Sequence, residues 1–167
     1  HLRRDRRRRK LVKSGDWSLL FHRCVREQLE RLKAASDKAI AGDPQNAPEN
    51  ANVKLHAALA TLILETIPSD PARDEYRQGN TMGPAFRHWR RAKIGRRFRL
   101  FFRYDSRTKV IVYAWVNDEK TLRTAGSKND PYTVFKKMLS RGNPPDDWNQ
   151  LQSESSPQEV DRPAKRR

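Results

Sequence analysis

Two neighbouring runs with a two-residue period constrain the fold of this chain more than any other feature. In the first run, FRLFFRY at 98–104, apolar residues alternate with arginines. The second run, KVIVYAWVN at 109–117, is dense in β-branched and aromatic residues. Because successive side chains of a strand point to opposite faces, the first run predicts a strand with one apolar and one largely cationic face. The second run predicts the centre of the sheet, joined to the first through the turn-like DSRT at 105–108.

Helical periods flank these strands. Apolar residues recur at helical spacing from Phe21 to Leu32, and further helices are predicted at about 50–66 and 131–141. The last of these has Asp130 and then proline at its start, which suits the N-cap and N1 positions. Strands at about 17–21 and 89–94 complete the pattern.

The order of elements predicts an α+β domain, in which helices pack on one face of a small antiparallel sheet. If the apolar residues of 98–104 face the helices, then Arg97, Arg99 and Arg103 point out of an open face. We predict three regions: a basic, disordered leader at 1–15, one domain at 16–151, and a Ser-, Glu- and Pro-rich disordered tail at 152–167.

Charge indicates the class of ligand. The 167 residues include 36 Lys and Arg against 20 Asp and Glu, a formal net charge of +16. Ten cationic side chains fall between Arg87 and Lys109, with Asp105 as the one acid among them. A surplus of this size on strands favours a site for phosphates of nucleic acid, because rigid arginines bind phosphate bidentately. The alternative is a solvated basic face kept for solubility or as an edge-strand guard.

The residue inventory narrows the chemistry. Cys24 is the only cysteine, so an intrachain disulfide framework and a thiolate zinc site are excluded. The four histidines show no metal-binding spacing, there is no glycine-rich phosphate loop, and no cofactor is predicted. No run of 18 apolar residues and no secretory signal is present, which favours a soluble protein of the cytoplasm. Arginine and lysine alone can cleave RNA, since its own 2′-hydroxyl is the nucleophile, but composition does not separate cleavage from RNA binding.

Four segments resemble a known family. They are GDWSLLFHRCVREQLERL at 15–32, RRAKIGRRFRLFFRY at 90–104, VIVYAWVNDEKTLRTAG at 110–126 and YTVFKKMLSRGNPPDDW at 132–148. Together they are similar to the YhaV toxins of type II toxin–antitoxin systems, in the RelE superfamily of bacterial ribonucleases. The resemblance implies a βααβββα fold and a metal-independent endoribonuclease that cleaves mRNA, associates with ribosomes and inhibits translation and growth.

The resemblance also implies partners. They are a PrlF-like antitoxin with an AbrB-like DNA-binding domain, which assembles with the toxin in a hetero-oligomer, and operator DNA reached through that antitoxin, so that the pair represses its own operon. The alternative is a non-catalytic nucleic-acid-binding or co-repressor protein that uses the same basic face.

Site residues follow from the family's motifs. The catalytic candidates implied by the resemblance are Arg91 and Lys93 in WRRAK, Arg99 in RFRLFFRY, Arg123 in TLRT and Tyr132 in YTVF. Arg91 and Arg99 would hold the scissile phosphate, Lys93 would be a base or an electrostatic helper, and Arg123 would support the leaving group. Tyr132 would stack on a base or orient the 2′-hydroxyl. Further RNA-binding candidates are Arg90, Arg97, Arg103 and Lys128. Arg123 can also be a loop residue paired with Glu119, and Tyr132 a core residue.

Overall fold

The structure, a computed structural model, describes residues 13–161. The arginine run of the predicted leader, at 3–9, therefore lies outside the described residues, as do positions 162–167. The elements in chain order are β1 (Lys13–Ser14), β2 (Trp17–His22), α1 (Arg23–Gly42), α2 (Ala51–Thr61), β3 (Arg90–Ile94), β4 (Phe98–Asp105), β5 (Val110–Val116), α3 (Pro131–Ser140), α4 (Trp148–Ser153) and β6 (Ser155–Ser156).

The predicted α+β class is confirmed. One sheet holds all six strands in the order β1-β2-β5-β4-β3, with β6 pairing with β2 beside β1. The strands β3, β4 and β5 form the predicted antiparallel meander, and β5 is central. The β2–β5 pair is parallel, and a long connection that contains α1, α2, β3 and β4 separates its two strands.

The second helix is longer than predicted. It continues from α2 through a π-helical segment, Leu62–Thr66, into a last α-helical turn, Ile67–Ser69. The predicted end at about residue 66 is therefore three residues short. Pro68 is tolerated because it lies in the first turn after the π-helical segment, where a helix needs no proline N–H.

Helices cover both faces of the sheet, and in this respect the structure differs from the prediction of one covered face. Leu100 and Phe102 of β4 pack with α1 and α2 in one core cluster. Phe101, between them, packs in a second cluster with Phe135 of α3 and Leu151 of α4. Because alternate residues of a strand face opposite sides, the two clusters lie on opposite faces. The face that carries Arg99 and Arg103 is therefore partly covered rather than open.

The chain enters and leaves the domain through the sheet. Lys13 and Ser14 pair with the start of β2, so the last residues of the predicted leader are part of the fold. At the other end, Ser155 and Ser156 pair with the end of β2, and Val160 packs against the first core cluster. The predicted tail thus begins too early at residue 152. Its polar composition concealed short backbone pairing, which needs no apolar side chains.

Across residues 13–161, no helix is both long and apolar enough to cross a membrane.

Candidate active site

The hydroxyl group of Tyr132 joins two of the predicted arginines. Nε of Arg91 donates a hydrogen bond to it over 2.8 Å, and Nε of Arg99 donates over 3.2 Å. Arg91 lies on β3 opposite Phe101 of β4, and Arg99 lies on β4 opposite Lys93 of β3, so these side chains share one face of the hairpin. The sheet register therefore brings two guanidinium groups to one phenol.

The third predicted catalytic arginine, Arg123, contacts the ring of Tyr132. The guanidinium carbon of Arg123 lies 4.8 Å from the centroid of the Tyr132 ring, a cation–π contact. Three of the predicted catalytic arginines thus converge on Tyr132, which is 4% exposed. We call Arg91, Arg99, Arg123 and Tyr132 the arginine–tyrosine cluster.

Asp130 holds the loop half of this cluster. Its carboxylate accepts from Nη1 of Arg123 over 2.5 Å, from the Thr124 backbone N–H, and from the Tyr132 backbone N–H. The last bond is the N-cap of α3, as the sequence predicts. The partner of Arg123 is therefore Asp130, which is 3% exposed, and the alternative pairing with Glu119 is not seen.

Asn117, at the end of β5, joins the loop to the β3–β4 turn. Its Oδ1 accepts from the Arg99 backbone N–H over 2.6 Å, and its Nδ2 donates to the carbonyls of Arg97 and Thr121. The Arg123 backbone N–H also donates to the Arg97 carbonyl. These bonds fix the backbone segments that carry Arg99 and Arg123, and most of them are made by the single buried side-chain amide of Asn117.

In each arginine of the cluster, the protein binds only some of the guanidinium nitrogens. Nη1 of Arg91 donates to the Glu75 carbonyl over 2.6 Å, and Nη1 of Arg99 donates to the carbonyls of Arg96 and Phe98. Arg99 is 6% exposed as a result. Among the described residues, no partner holds Nη2 of either arginine. The bound nitrogens set the orientation, and the remaining one is left for a ligand.

The remaining predicted cations lie around the cluster in different ways. Lys93 faces the same side of the hairpin as Arg99 and is exposed. Arg97 and Lys128 are exposed, in the β3–β4 turn and in the loop before α3, and neither side chain has a hydrogen bond or ion pair within residues 13–161. All three are placed to attract a polyanion.

Two of the predicted RNA-binding arginines lie elsewhere. Arg90 is on the opposite face of β3 from Arg91, with its guanidinium carbon 6.0 Å from the Tyr104 ring centroid. Arg103 packs against both Trp89 and Trp148, at 5.5 and 5.2 Å from their ring centroids. Burial lowers the pKa of Arg103 from its ordinary value. The open cationic face predicted for Arg103 is therefore wrong, because α4 covers it.

Sequence reasoning missed the residues that hold the site together. Asp130 was predicted only as a helix cap, and Asn117 appeared only within the family-like segment at 110–126. The signal for both is a polar residue at the end of an apolar element, because a buried carboxylate or amide there needs several hydrogen-bond partners. No group of three or more His, Cys, Asp or Glu side chains is arranged to bind a metal ion within 13–161.

Comparison with known proteins identifies the family. Residues 19–156 match the family model of YhaV toxins, described as toxins with endonuclease activity from toxin–antitoxin systems. The ribonuclease toxin YhaV of Escherichia coli K12 is 43% identical over 141 residues, which cover 83% of this chain and 92% of that protein. Toxin YhaV of Escherichia coli O6:H1 has the same identity and coverage. No solved structure matches the chain.

The residues matched by the family model, 19–156, include the arginine–tyrosine cluster and the buried members of both core clusters. The chain belongs to the YhaV family of toxins with endonuclease activity, which act in toxin–antitoxin systems.

Proposed function

We propose that this toxin is a metal-independent endoribonuclease that cleaves mRNA at the arginine–tyrosine cluster and so inhibits translation and growth. The observation that carries the proposal is the convergence of three guanidinium groups on Tyr132, two of them on its hydroxyl and the third on its ring. A relative that is 43% identical bears the name ribonuclease toxin. A site of fixed cations and a phenol suits RNA, because RNA supplies its own nucleophile.

In the proposed reaction, the 2′-hydroxyl gives its proton to water as its oxygen attacks the adjacent phosphorus, and the 5′-oxygen of the next nucleotide leaves and takes up a proton. The products are a 2′,3′-cyclic phosphate and a free 5′-hydroxyl. Negative charge builds on the non-bridging oxygens of the phosphorane, and the free Nη2 donors of Arg91 and Arg99 bind it. These donors are held in place before the RNA arrives, so little reorganisation is needed in the transition state.

Tyr132 acts through its hydroxyl in this scheme. The oxygen already accepts two hydrogen bonds from arginine, so both lone pairs are used. Its proton has no acceptor within the described residues and is available to a phosphate or leaving oxygen. The buried ring favours this role over stacking on a base, because Arg123 and Phe101 already contact it.

Lys93 and Arg123 complete the proposed site. Lys93 supplies positive charge beside Arg99, and its exposure favours this electrostatic role, since a lysine becomes an effective base when it is desolvated. Arg123 is anchored by Asp130 and supports the leaving group. Arg97 and Lys128 guide the flanking phosphates, as exposed cations near the cluster.

We further propose that the toxin acts in the cytoplasm on ribosome-associated mRNA and is neutralised by a PrlF-like antitoxin within a hetero-oligomer. The antitoxin would carry an AbrB-like domain that binds operator DNA. The family's membership of toxin–antitoxin systems supports an antitoxin partner. The net charge of +16 supports polyanionic partners, whether RNA, ribosome or an acidic antitoxin.

The test is cleavage of a defined RNA by the purified chain, with and without ribosomes and EDTA. We expect 2′,3′-cyclic phosphate ends, no effect of EDTA, and no cutting at a position where a 2′-deoxynucleotide replaces the nucleophile. Arg91→Ala and Arg99→Ala should abolish cutting and growth arrest. Arg141→Ala removes an exposed arginine without a side-chain partner in the described chain and is the matched control. RNA binding without cutting would instead favour the non-catalytic alternative, and loss of activity with EDTA would contradict metal independence.

A further inference from the structure

A second concave site lies at the edge of the sheet, away from the arginine–tyrosine cluster. Its cavity of about 340 Å³ is bordered by His88 and Arg90 at the start of β3, by Arg103, Tyr104, the carboxylate-bearing Asp105 and Ser106 at the end of β4, and by Trp148 at the start of α4. This volume is near the lower end of the range for sites of small organic ligands. None of the residues that line it belongs to the arginine–tyrosine cluster.

Trp148 provides an aromatic surface in this cavity. It is half-buried, and Arg103 covers one part of its indole at 5.2 Å from the ring centroid. Arg103 is itself fixed between Trp148 and Trp89, and its Nη1 donates to the Asp146 carbonyl over 2.6 Å. The indole that borders the cavity is therefore held rigidly and carries a cation beside it. Such a surface suits stacking of a nucleobase.

His88 is oriented by a carboxylate. Its Nε2 lies 2.6 Å from Oδ1 of Asp146, which also accepts from Trp89 Nε1 over 2.8 Å. An ionised carboxylate only accepts, so Nε2 of His88 carries the proton in this pair. The other ring nitrogen, Nδ1, has no partner within residues 13–161 and is left for a ligand. The His88 side chain is 38% exposed.

Cations complete the site. Arg90 borders the cavity from the other face of β3, and Nη1 donates to the Arg87 carbonyl over 3.0 Å. Its Nε is buried without a hydrogen-bond partner in the described chain. Arg90 and Arg103 thus place two guanidinium groups around one indole and one histidine. That combination matches a base on one side and a phosphate on the other.

We propose that this cavity is a second nucleotide subsite for the RNA strand held at the arginine–tyrosine cluster. The base stacks on Trp148, its phosphate meets Arg90 and Arg103, and Nδ1 of His88 binds a polar edge. Arg99 and Arg103 are four residues apart on β4, which corresponds to roughly 13 Å along a strand. That separation is too long for one phosphate or for two adjacent phosphates, and it suits a nucleotide further along the same strand, beyond the reach of a dinucleotide. The inference rests on the proposed ribonuclease function.

The test measures binding of non-cleavable 2′-O-methyl RNA to the full chain by fluorescence anisotropy. A dinucleotide and an octanucleotide are compared, and 5′-AMP is added as a free nucleotide. Trp148→Leu should weaken octanucleotide binding by about 5- to 150-fold, the loss expected for one stacked base, and leave the dinucleotide unchanged. Arg90→Gln should weaken the octanucleotide and reduce the salt dependence of its binding. Lys38→Gln, at an exposed position on α1, is the control and should change nothing.

Thermal unfolding of each variant separates binding from folding, and Arg90→Gln tests the site if Trp148→Leu proves unstable. Unchanged octanucleotide affinity in Arg90→Gln and in folded Trp148→Leu overturns the subsite. So does equal weakening of 5′-AMP and octanucleotide, which would indicate a site for free nucleotides. Loss of antitoxin binding with RNA binding intact would also overturn it, in favour of a protein-binding surface. If the parent chain binds the octanucleotide through Trp148 but cuts no RNA, the proposed catalysis fails and the subsite stands.

Discussion

Replacing Tyr132 by phenylalanine tests the centre of the proposed active site with the loss of one oxygen atom. The phenol accepts hydrogen bonds from Nε of Arg91 and of Arg99. Arg99 is 6% exposed, so water cannot readily replace the lost bond. A hydrogen bond to a charged group contributes about 1.5–3 kcal/mol, and the half-buried Arg91 should add about 1 kcal/mol or less because solvent reaches it.

We therefore expect Tyr132→Phe to lower the free energy of unfolding by about 2–4 kcal/mol. For a domain of this size, each kcal/mol lowers the melting temperature by about 2–4 °C. Urea unfolding at neutral pH measures the first quantity, and calorimetry measures the second. RNA cleavage by the folded variant should fall about 100-fold, since the two guanidinium groups lose the contact that aligns them.

Tyr76→Phe is the matched control. The hydroxyl of Tyr76 is also buried but has no hydrogen-bond partner among the described residues, and burial raises its pKa. Its removal should leave stability unchanged or raise it by up to about 1 kcal/mol, because an unpaired buried hydroxyl is itself costly. If the two variants unfold at the same urea concentration and cleave RNA equally well, the Tyr132–arginine bonds have no energetic role and the reasoning is refuted.

Three further predictions concern the support of the site. Asp130→Ala should destabilise the domain by about 3–5 kcal/mol, since it removes the cap of α3 and leaves Arg123 without its buried partner. Asp130→Asn keeps a capping oxygen and should cost less, and urea unfolding of both variants measures the difference. Phe135→Ala should cost about 3–5 kcal/mol, because the ring is fully buried and stacks at 4.3 Å on Phe101; equal stability in chemical denaturation would contradict this packing. Burial lowers the pKa of His22 below its usual 6.5, so the unfolded chain binds the proton first and the free energy of unfolding should fall as pH drops below about 6.5. The slope of that free energy between pH 7.5 and 5.5 should be shallower in His22→Asn, which keeps a capping side chain, and an identical slope would contradict the assignment.

The strands and helices could be predicted because each has a clear period and a recognisable end. The alternation at 98–104 predicts the correct face for every side chain of β4, and Asp130 predicts the start of α3. What alternation does not show is which face another element will cover. The arginines suggested an open face, but Phe101 lies among them on that same face and is fully buried. One large aromatic residue on an otherwise cationic face was the available signal that a helix packs there.

A second signal of two covered faces lies in β5, where all seven residues are buried. A strand with one wet face alternates between apolar and polar residues, whereas a strand covered on both faces is apolar throughout. A bulge between β4 and β5 keeps Trp115 opposite Phe101 while Tyr113 lies opposite Phe102. The apolar stripe of α3 packs on this surface through Phe135 and Leu139.

The arginine–tyrosine cluster could not be derived from periods, because its parts come from three separate segments. Its members were implied by the family resemblance, and the structure brings Arg91, Arg99, Arg123 and Tyr132 together through tertiary contacts. Hydrogen bonds that Asn117 and Asp130 accept from backbone N–H groups fix these segments relative to one another. Such polar bonds leave no periodic trace, since any buried amide or carboxylate near a strand end can make them.

The covered face changes what the arginines can do. On an open sheet, a row of like charges would repel and would bind phosphates at many registers along the strand. Here α3 buries Phe101 and the Tyr132 ring, so the cations are divided between the arginine–tyrosine cluster and the cavity beside Trp148. Asp130 links the helix to the cationic groups, because the carboxylate that caps the start of α3 also binds Arg123. The docking of α3 and the alignment of the cationic groups therefore depend on the same carboxylate. A variant that loosens α3 should lose RNA cleavage before it loses the fold.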